Sequence, residues 1–239
     1  MNASDPCQDD HCAVPGANGS TTPARPGADK PTLHYIGDPM CSWCWGMAPA
    51  LHEIARACRA RGLRFAITVG GLRAAGVEQW TPEFRGFLRQ TWTRIAEVSG
   101  QPFGFALLEQ PLFAYDTTPA CRAVVAASAL LSAPDGLALL DFFTGIQRRF
   151  YVDNQNPGAL DFYRPLCEQN GLDFERFKWV YTSEAAAFRT RQHFSRSQQW
   201  GVQGFPSLLL DAQGRHTQIA CGYATPADVL ARLDQRLAG

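Results

Sequence analysis

No run of this chain is apolar for the ~18 residues that a membrane-spanning helix requires. The longest strand-like candidates are only Arg64 to Val69 and Ser207 to Leu210, so no membrane partner is expected. A charge excess of either sign is missing as well: 22 Lys and Arg balance 22 Asp and Glu. Without a basic surplus there is no electrostatic footprint for nucleic acid or an anionic headgroup surface, and neither partner is expected. Large apolar side chains are almost absent from Met1 to about Pro31, where Gly, Ala, Ser, Pro and Asp dominate. Such a composition cannot bury enough surface to offset the entropy of ordering, so residues 1–31 are expected to form a flexible tail. The same stretch lacks the hydrophobic segment of a secretory signal, which makes the cytoplasm the expected location. A second Cys-x-x-Cys pair is also lacking. Zinc and iron–sulfur sites normally take four ligands, and Cys7, His11 and Cys12 could complete a set only if the tail folded back, so no metal is expected.

What is present describes an ordinary globular protein. In 239 residues, 46% apolar and 18% charged side chains suffice for one or two domains with a full core. Eight cysteines stand at 7, 12, 41, 44, 58, 121, 167 and 221. In a reducing compartment, with a large core available, most should be free thiols. Cys58 and Cys121 fall on apolar helix faces and read as small buried hydrophobes.

The informative segment is Asp38-Pro39-Met40-Cys41-Ser42-Trp43-Cys44-Trp45-Gly46-Met47-Ala48-Pro49. A strand-like run, Leu33-His34-Tyr35-Ile36, precedes it, and Leu51, Ile54 and Cys58 follow at helical spacing until Gly62. Cys41 therefore opens a helix. The first-turn N–H groups have no internal partners and favour a thiolate, so a lowered Cys41 pKa is expected. Cys44 lies one turn on, on the same face, within reach of a mixed disulfide at Cys41. The pair can cycle between dithiol and disulfide. Asp38 is read as hydrogen-bonding within the turn or capping the helix, and Pro49 as a kink. Trp45 fits either the core or an apolar surface around the sulfurs.

Along the chain, a strand at about 32–37, a helix at about 41–61 and a β-branched run at about 63–70 make a β-α-β start. Thr81-Pro82-Glu83 and Thr118-Pro119 each offer a capping oxygen followed by proline at the first helical position. Phe84, Leu88, Trp92, Ile95 and Val98 then trace one face of the first helix, and Cys121, Val124, Val125 and Leu131 one face of the second. Further helices are expected at about 136–151, 158–170 (divided at Pro165), 173–181 and 183–200. A β-hairpin from Ser207 to Ala220 turns at Asp211-Ala212-Gln213-Gly214. A closing helix starts at Thr225-Pro226, with Val229, Leu230, Leu233 and Leu237 facing inward. This order is α/β: a thioredoxin-like domain over 32–71 and 191–239, interrupted by a helical insertion over 72–190 that would shape a cleft beside the dithiol.

With Cys41 and Cys44 placed, the chain resembles the DsbA-like thioredoxin-fold superfamily, and most closely its cytoplasmic FrnE-like branch of disulfide isomerases. Three pieces carry the likeness: Asp38 to Pro49, Tyr115-Asp116-Thr117-Thr118-Pro119-Ala120-Cys121-Arg122-Ala123, and Gly201-Val202-Gln203-Gly204-Phe205-Pro206-Ser207. It implies a cis Pro206 lying against the dithiol. Phe205 and Pro206 would then hold an extended substrate strand, and Ser42 and Trp43 would tune the dithiol and meet the substrate. The implied activity is thiol–disulfide oxidoreduction or isomerisation of protein or small-molecule disulfides and thiols. The redox-active Cys41–Cys44 pair would serve in place of a cofactor, with glutathione admitted as co-substrate. Asp116 and Arg122 match positions in the helical stretch, with surface ion pairing as the competing reading. Glutathione-dependent enzymes of the kappa type share the outline but generally carry serine where Cys41 stands. A thiol metal-binding module and a redox sensor without turnover are the remaining alternatives.

Overall fold

The computed structural model describes residues 30–76, 79–131 and 136–238. The expected tail, with Cys7, His11 and Cys12, lies almost wholly outside the described residues.

Strand β1 (Thr32–Gly37) is buried on both faces because it sits inside the sheet. It pairs in parallel with β2 (Arg64–Val69) and antiparallel with β3 (Ser207–Ala212), which pairs antiparallel with β4 (Arg215–Cys221), giving the order β2-β1-β3-β4. Strands buried on both faces read as near-continuous apolar runs, as Leu208-Leu209-Leu210 does and as β1 does apart from the half-buried His34. The β3–β4 hairpin turns through Gln213 and Gly214, both at positive φ (57° and 78°). That pair of left-handed residues makes the turn tighter than the four-residue expectation.

The expected helix over 41–61 is two helices, α1 (Ser42–Gly46) and α2 (Ala48–Ala60), divided at Met47. Pro49 has no N–H with which to continue the ladder. The Trp45 carbonyl, its partner in an unbroken helix, accepts instead from Gln101 Nε2 at 3.0 Å. The helical part follows as α3 (Pro82–Ser99), α4 (Thr118–Ser128), α5 (Leu137–Tyr151), α6 (Arg164–Gln169), α7 (Phe174–Thr182) and α8 (Glu184–Gln199), and α9 (Pro226–Ala238) closes the chain. Thr81 caps α3, its hydroxyl accepting from Phe84 N–H at 3.2 Å, as the Thr-Pro-Glu signal implies. The second signal is displaced by one residue: Thr117 is the cap of α4, and Thr118 and Pro119 form its first turn. Pro165 does divide its segment, into a 3-10 turn over Leu160–Tyr163 and α6. Two expected inward residues face outward instead, because each lies in the final turn of its helix: Val98 is 51% exposed and Leu237 39%.

Helix α4 is buried almost all round, through Ala120, Cys121, Ala123, Val124, Val125, Ala126 and Ala127. Its small side chains let α5, α7 and α8 close around it. Helix α8 also packs on β2, while α3 and α5 reach α1, so the helical part is anchored to the sheet at both ends of the β1–β2 unit. The expected boundary at 190 falls inside α8. Trp92 in α3 is fully buried at the centre of an aromatic cluster, edge-on to Tyr151 (5.1 Å) and Phe150 (6.2 Å) and stacked on Phe103 (5.7 Å). Trp92→Ala should lower the unfolding free energy by about 3–5 kcal/mol, and Thr81→Ala by about 1 kcal/mol. Urea titration followed by circular dichroism checks both; a Trp92→Ala loss no larger than the cap variant's would remove the cluster's structural importance.

Candidate functional site

Three chain ends meet at one edge of the sheet. Because β1 and β2 run parallel, the turn Asp38–Cys41 after β1 lies beside Gly70–Leu72 after β2. Because β1 and β3 run antiparallel, the same turn faces Phe205 and Pro206, which precede β3. Gly70 N–H donates to the Gly37 carbonyl at 2.9 Å, and Gly222 N–H to the Pro206 carbonyl at 2.8 Å. The Phe205–Pro206 bond is cis. Gly70 is required by this approach, since a Cβ there would lie 2.0 Å from the Phe205 ring.

Cys41 is the cap residue of α1, with extended backbone; its N–H donates to the Asp38 carbonyl (3.0 Å) and its own carbonyl accepts from Trp45 N–H (3.1 Å). The residue as a whole keeps 5% of its surface exposed, whereas Cys44 is wholly buried. Both are free thiols, and they lie close enough for each to act on the other's ionisation. The Cys41 thiol also donates to the Phe205 carbonyl at 3.5 Å. The structure thus brings Cys41, Cys44, Phe205 and Pro206 together. Ser42 and Trp43 lie half-buried in the first turn of α1, with the Trp43 ring 6.1 Å from that of Tyr223. Trp45 belongs to the core: its indole N–H donates to the Pro102 carbonyl (2.9 Å) and its ring stacks on Tyr151.

The expected lowering of the Cys41 pKa is corrected. The hydrogen bond with Cys44, then burial, the Cys44 charge and the Asp38 charge push the Cys41 thiol well above its usual range, opposed by the Cys44 N–H. The break at Met47 leaves only five residues in α1, so few peptide dipoles add up at its head. Two buried thiols this close also share one charge far more readily than they carry two.

Asp38 is wholly buried and does not cap α1. Its Oδ1 accepts from Met40 N–H (2.8 Å), and its Oδ2 from Leu72 N–H (2.7 Å) and the Cys121 thiol (3.4 Å). Burial pushes its carboxyl up, while these bonds and one with Thr117 pull it down. The carboxylate therefore ties the loop after β1 to the loop after β2 and to α4. Cys121 is the buried small residue the sequence suggests, with the added task of donating to Asp38. Among the described residues Asp116 has no ion-pair partner; its Oδ1 accepts from Thr118 N–H (2.8 Å) and Ala75 N–H (3.1 Å), and Arg122 lies over the Tyr181 ring. Sequence reasoning passed over Tyr115, whose hydroxyl donates to the Met40 carbonyl at 2.8 Å and so fixes the turn before Cys41. Its only signal was its place beside Asp116 in the middle motif. Among the described residues, no group of three or more His, Cys, Asp or Glu could hold a metal, and no helix is long and apolar enough to cross a membrane.

Comparison with solved structures is decisive at this point. The chain is 36% identical to the "putative protein disulfide isomerase" of Nitrosomonas europaea, over 88% of this chain and 98% of that one, with a TM-score of 0.79. It belongs to the DsbA-like thioredoxin-fold superfamily. The cytosolic disulfide reductase DsbM from Pseudomonas aeruginosa is 29% identical over 87% of this chain and 98% of DsbM, TM-score 0.68. A second DsbM structure, with GSH, is 28% identical over 87% of this chain and all of that one, TM-score 0.62. No family model and no curated protein matches. At the level of the superfamily, the chain is a thiol–disulfide oxidoreductase or isomerase.

The Asp38 charge raises the Cys41 pKa, so Asp38→Asn should move the midpoint of Cys41 thiolate formation to lower pH. The rate of Cys41 alkylation by iodoacetamide against pH, read by mass spectrometry on protein whose near-ultraviolet dichroism is native, checks this. An unchanged or raised midpoint would refute the electrostatic coupling.

Proposed function

We propose that Cys41 and Cys44 carry out dithiol–disulfide exchange on protein or small-molecule disulfides, with a cellular thiol such as glutathione restoring the reduced pair. The observation that carries this reading is the closeness of two free thiols of unequal access at the cis-proline loop. Of the two residues only Cys41 keeps any exposed surface, and it opens α1 beside the proline loop, so it is assigned as the attacking residue. Its thiolate displaces one sulfur of the substrate disulfide, forming a mixed disulfide and releasing a thiolate that takes up a proton. Cys44 then loses its proton and attacks the Cys41 sulfur. The Cys41–Cys44 bond forms, the bond from Cys41 to substrate breaks, and the second substrate sulfur leaves as a thiol. Two electrons pass from the pair to the substrate.

Phe205 and Pro206 line the approach to Cys41. In the dithiol the Phe205 carbonyl accepts from the Cys41 thiol; once Cys41 is bonded to substrate, that carbonyl becomes available to an N–H of an extended substrate strand. Ser42 and Trp43 lie between the two cysteines in sequence and tune which redox form is favoured. The likeness to DsbM supports reduction or isomerisation in the cytoplasm as the direction and place of action, and its GSH complex supports glutathione as thiol partner. The kappa-type reading is disfavoured by the cysteine, rather than serine, at position 41.

Cys41→Ser should abolish reduction of a peptide disulfide, a loss of about a thousandfold or more, while Cys44→Ser should accumulate the peptide linked covalently to Cys41. Chromatography of the reduced peptide and intact-mass analysis of the protein read the two outcomes. Normal turnover by Cys41→Ser would end the proposal.

A further inference from the structure

The ring of Tyr35, at the middle of β1, is wholly buried between Phe65 (6.5 Å, stacked) and Phe143 (5.5 Å, edge-on). Its hydroxyl is a buried polar group without a conventional hydrogen-bond partner. The side chain leans along the strand toward the dithiol edge, and the position two residues on is glycine. A Cβ on Gly37 would lie 2.2 Å from the Tyr35 hydroxyl oxygen, so Gly37 clears the path that lets the phenol reach past the end of β1. Cys44 lies near it: after burial, the Cys44 charge and a hydrogen bond with Cys44 do most to hold the phenol neutral. A phenylalanine would fill the same aromatic slot without burying a polar atom, so core packing alone does not account for the oxygen.

We propose that the Tyr35 hydroxyl donates a hydrogen bond to the Cys44 sulfur as that sulfur becomes the thiolate that closes the Cys41–Cys44 disulfide, making Tyr35 a catalytic residue of the resolving step. This rests on the dithiol-exchange reading of the pair. Cys44 is sealed from solvent, and an isolated thiolate there would lack the hydrogen bonds that water supplies. A fixed O–H donor in that place replaces them at the moment charge appears. The hydroxyl keeps its own proton throughout, because burial and the Cys44 charge oppose its ionisation. The proton leaving Cys44 ends on the departing substrate sulfur, and Cys41 passes from its bond with substrate to its bond with Cys44. The first step, attack by Cys41, does not involve the hydroxyl.

The test separates the two steps. Reduced wild type, Tyr35→Phe and Cys41→Ser proteins are mixed with oxidised glutathione, quenched in acid at set times, and the Cys41–glutathione adduct and the Cys41–Cys44 disulfide are quantified by peptide mass spectrometry. In Tyr35→Phe, adduct formation should stay within about twofold of wild type while adduct decay into the Cys41–Cys44 disulfide slows about tenfold, and the melting temperature should not fall. Decay at the wild-type rate, or equal slowing of both steps together with a lower melting temperature, would overturn the proposal. Either failure leaves the exchange mechanism standing as long as wild type forms and resolves the adduct. A wild type that never forms it, or a Cys41→Ser protein that reduces glutathione disulfide normally, overturns the exchange reading itself and this proposal with it.

Discussion

Strand β1 is hydrogen-bonded on both edges, to β2 in parallel and to β3 in antiparallel register, and the chemistry at its end follows from that double pairing. A parallel neighbour brings the end of β2 alongside; an antiparallel neighbour brings the beginning of β3. Residues far apart in sequence, Cys41, Leu72 and Phe205, are therefore delivered to one place by backbone pairing. A slip of one residue in the β1–β3 register would turn Tyr35 to the opposite face and carry the proline loop out of line with Cys41.

The polar groups at this edge are few, and almost every one is spoken for. Asp38 gathers two backbone N–H groups and a thiol; Tyr115 holds the Met40 carbonyl; the Cys41 thiol rests on Phe205. A buried carboxylate with this many donors fixes the turn that presents Cys41, and its charge sets a cost on thiolate formation beside it. Rigidity of the turn and restraint of the leading thiol thus share one cause. The low-polarity surroundings also set the two cysteines apart, Cys41 keeping a little surface and Cys44 none, which is what the proposed order of attack and resolution needs.

Helical elements were readable wherever local chemistry decides them. Thr81-Pro82-Glu83 marks a start that the hydroxyl of Thr81 makes good, Pro165 divides its segment, and the apolar spacing of Leu88, Trp92 and Ile95 locates the buried face of α3. Errors arose where a neighbour intervened. Pro49 suggested a bend in a continuous helix, but the outcome is a break at Met47, stabilised by a Gln101 side chain from a distant loop. Of the two readings of Asp38, the bond within its own turn is present, to Met40 N–H, but the helix cap is not, and its other partners come from the β2 loop and α4. The Cys41 thiol departs from the helix-head expectation for the same reason: helix position is local, whereas burial and the Cys44 and Asp38 charges are not.

The sequence by itself determined the Cys41–Cys44 spacing at a helix head, the strand and helix order and the proline that precedes β3, because each is written in residue type and short-range spacing. Only the tertiary structure decided that Cys41 keeps a little surface while Cys44 keeps none, that Asp38 faces inward, and that the Tyr35 hydroxyl reaches past Gly37 at the end of β1. Those facts depend on which side chains from remote segments exclude water at a given atom, and solvent exclusion is a property of packing that no stretch of chain holds alone.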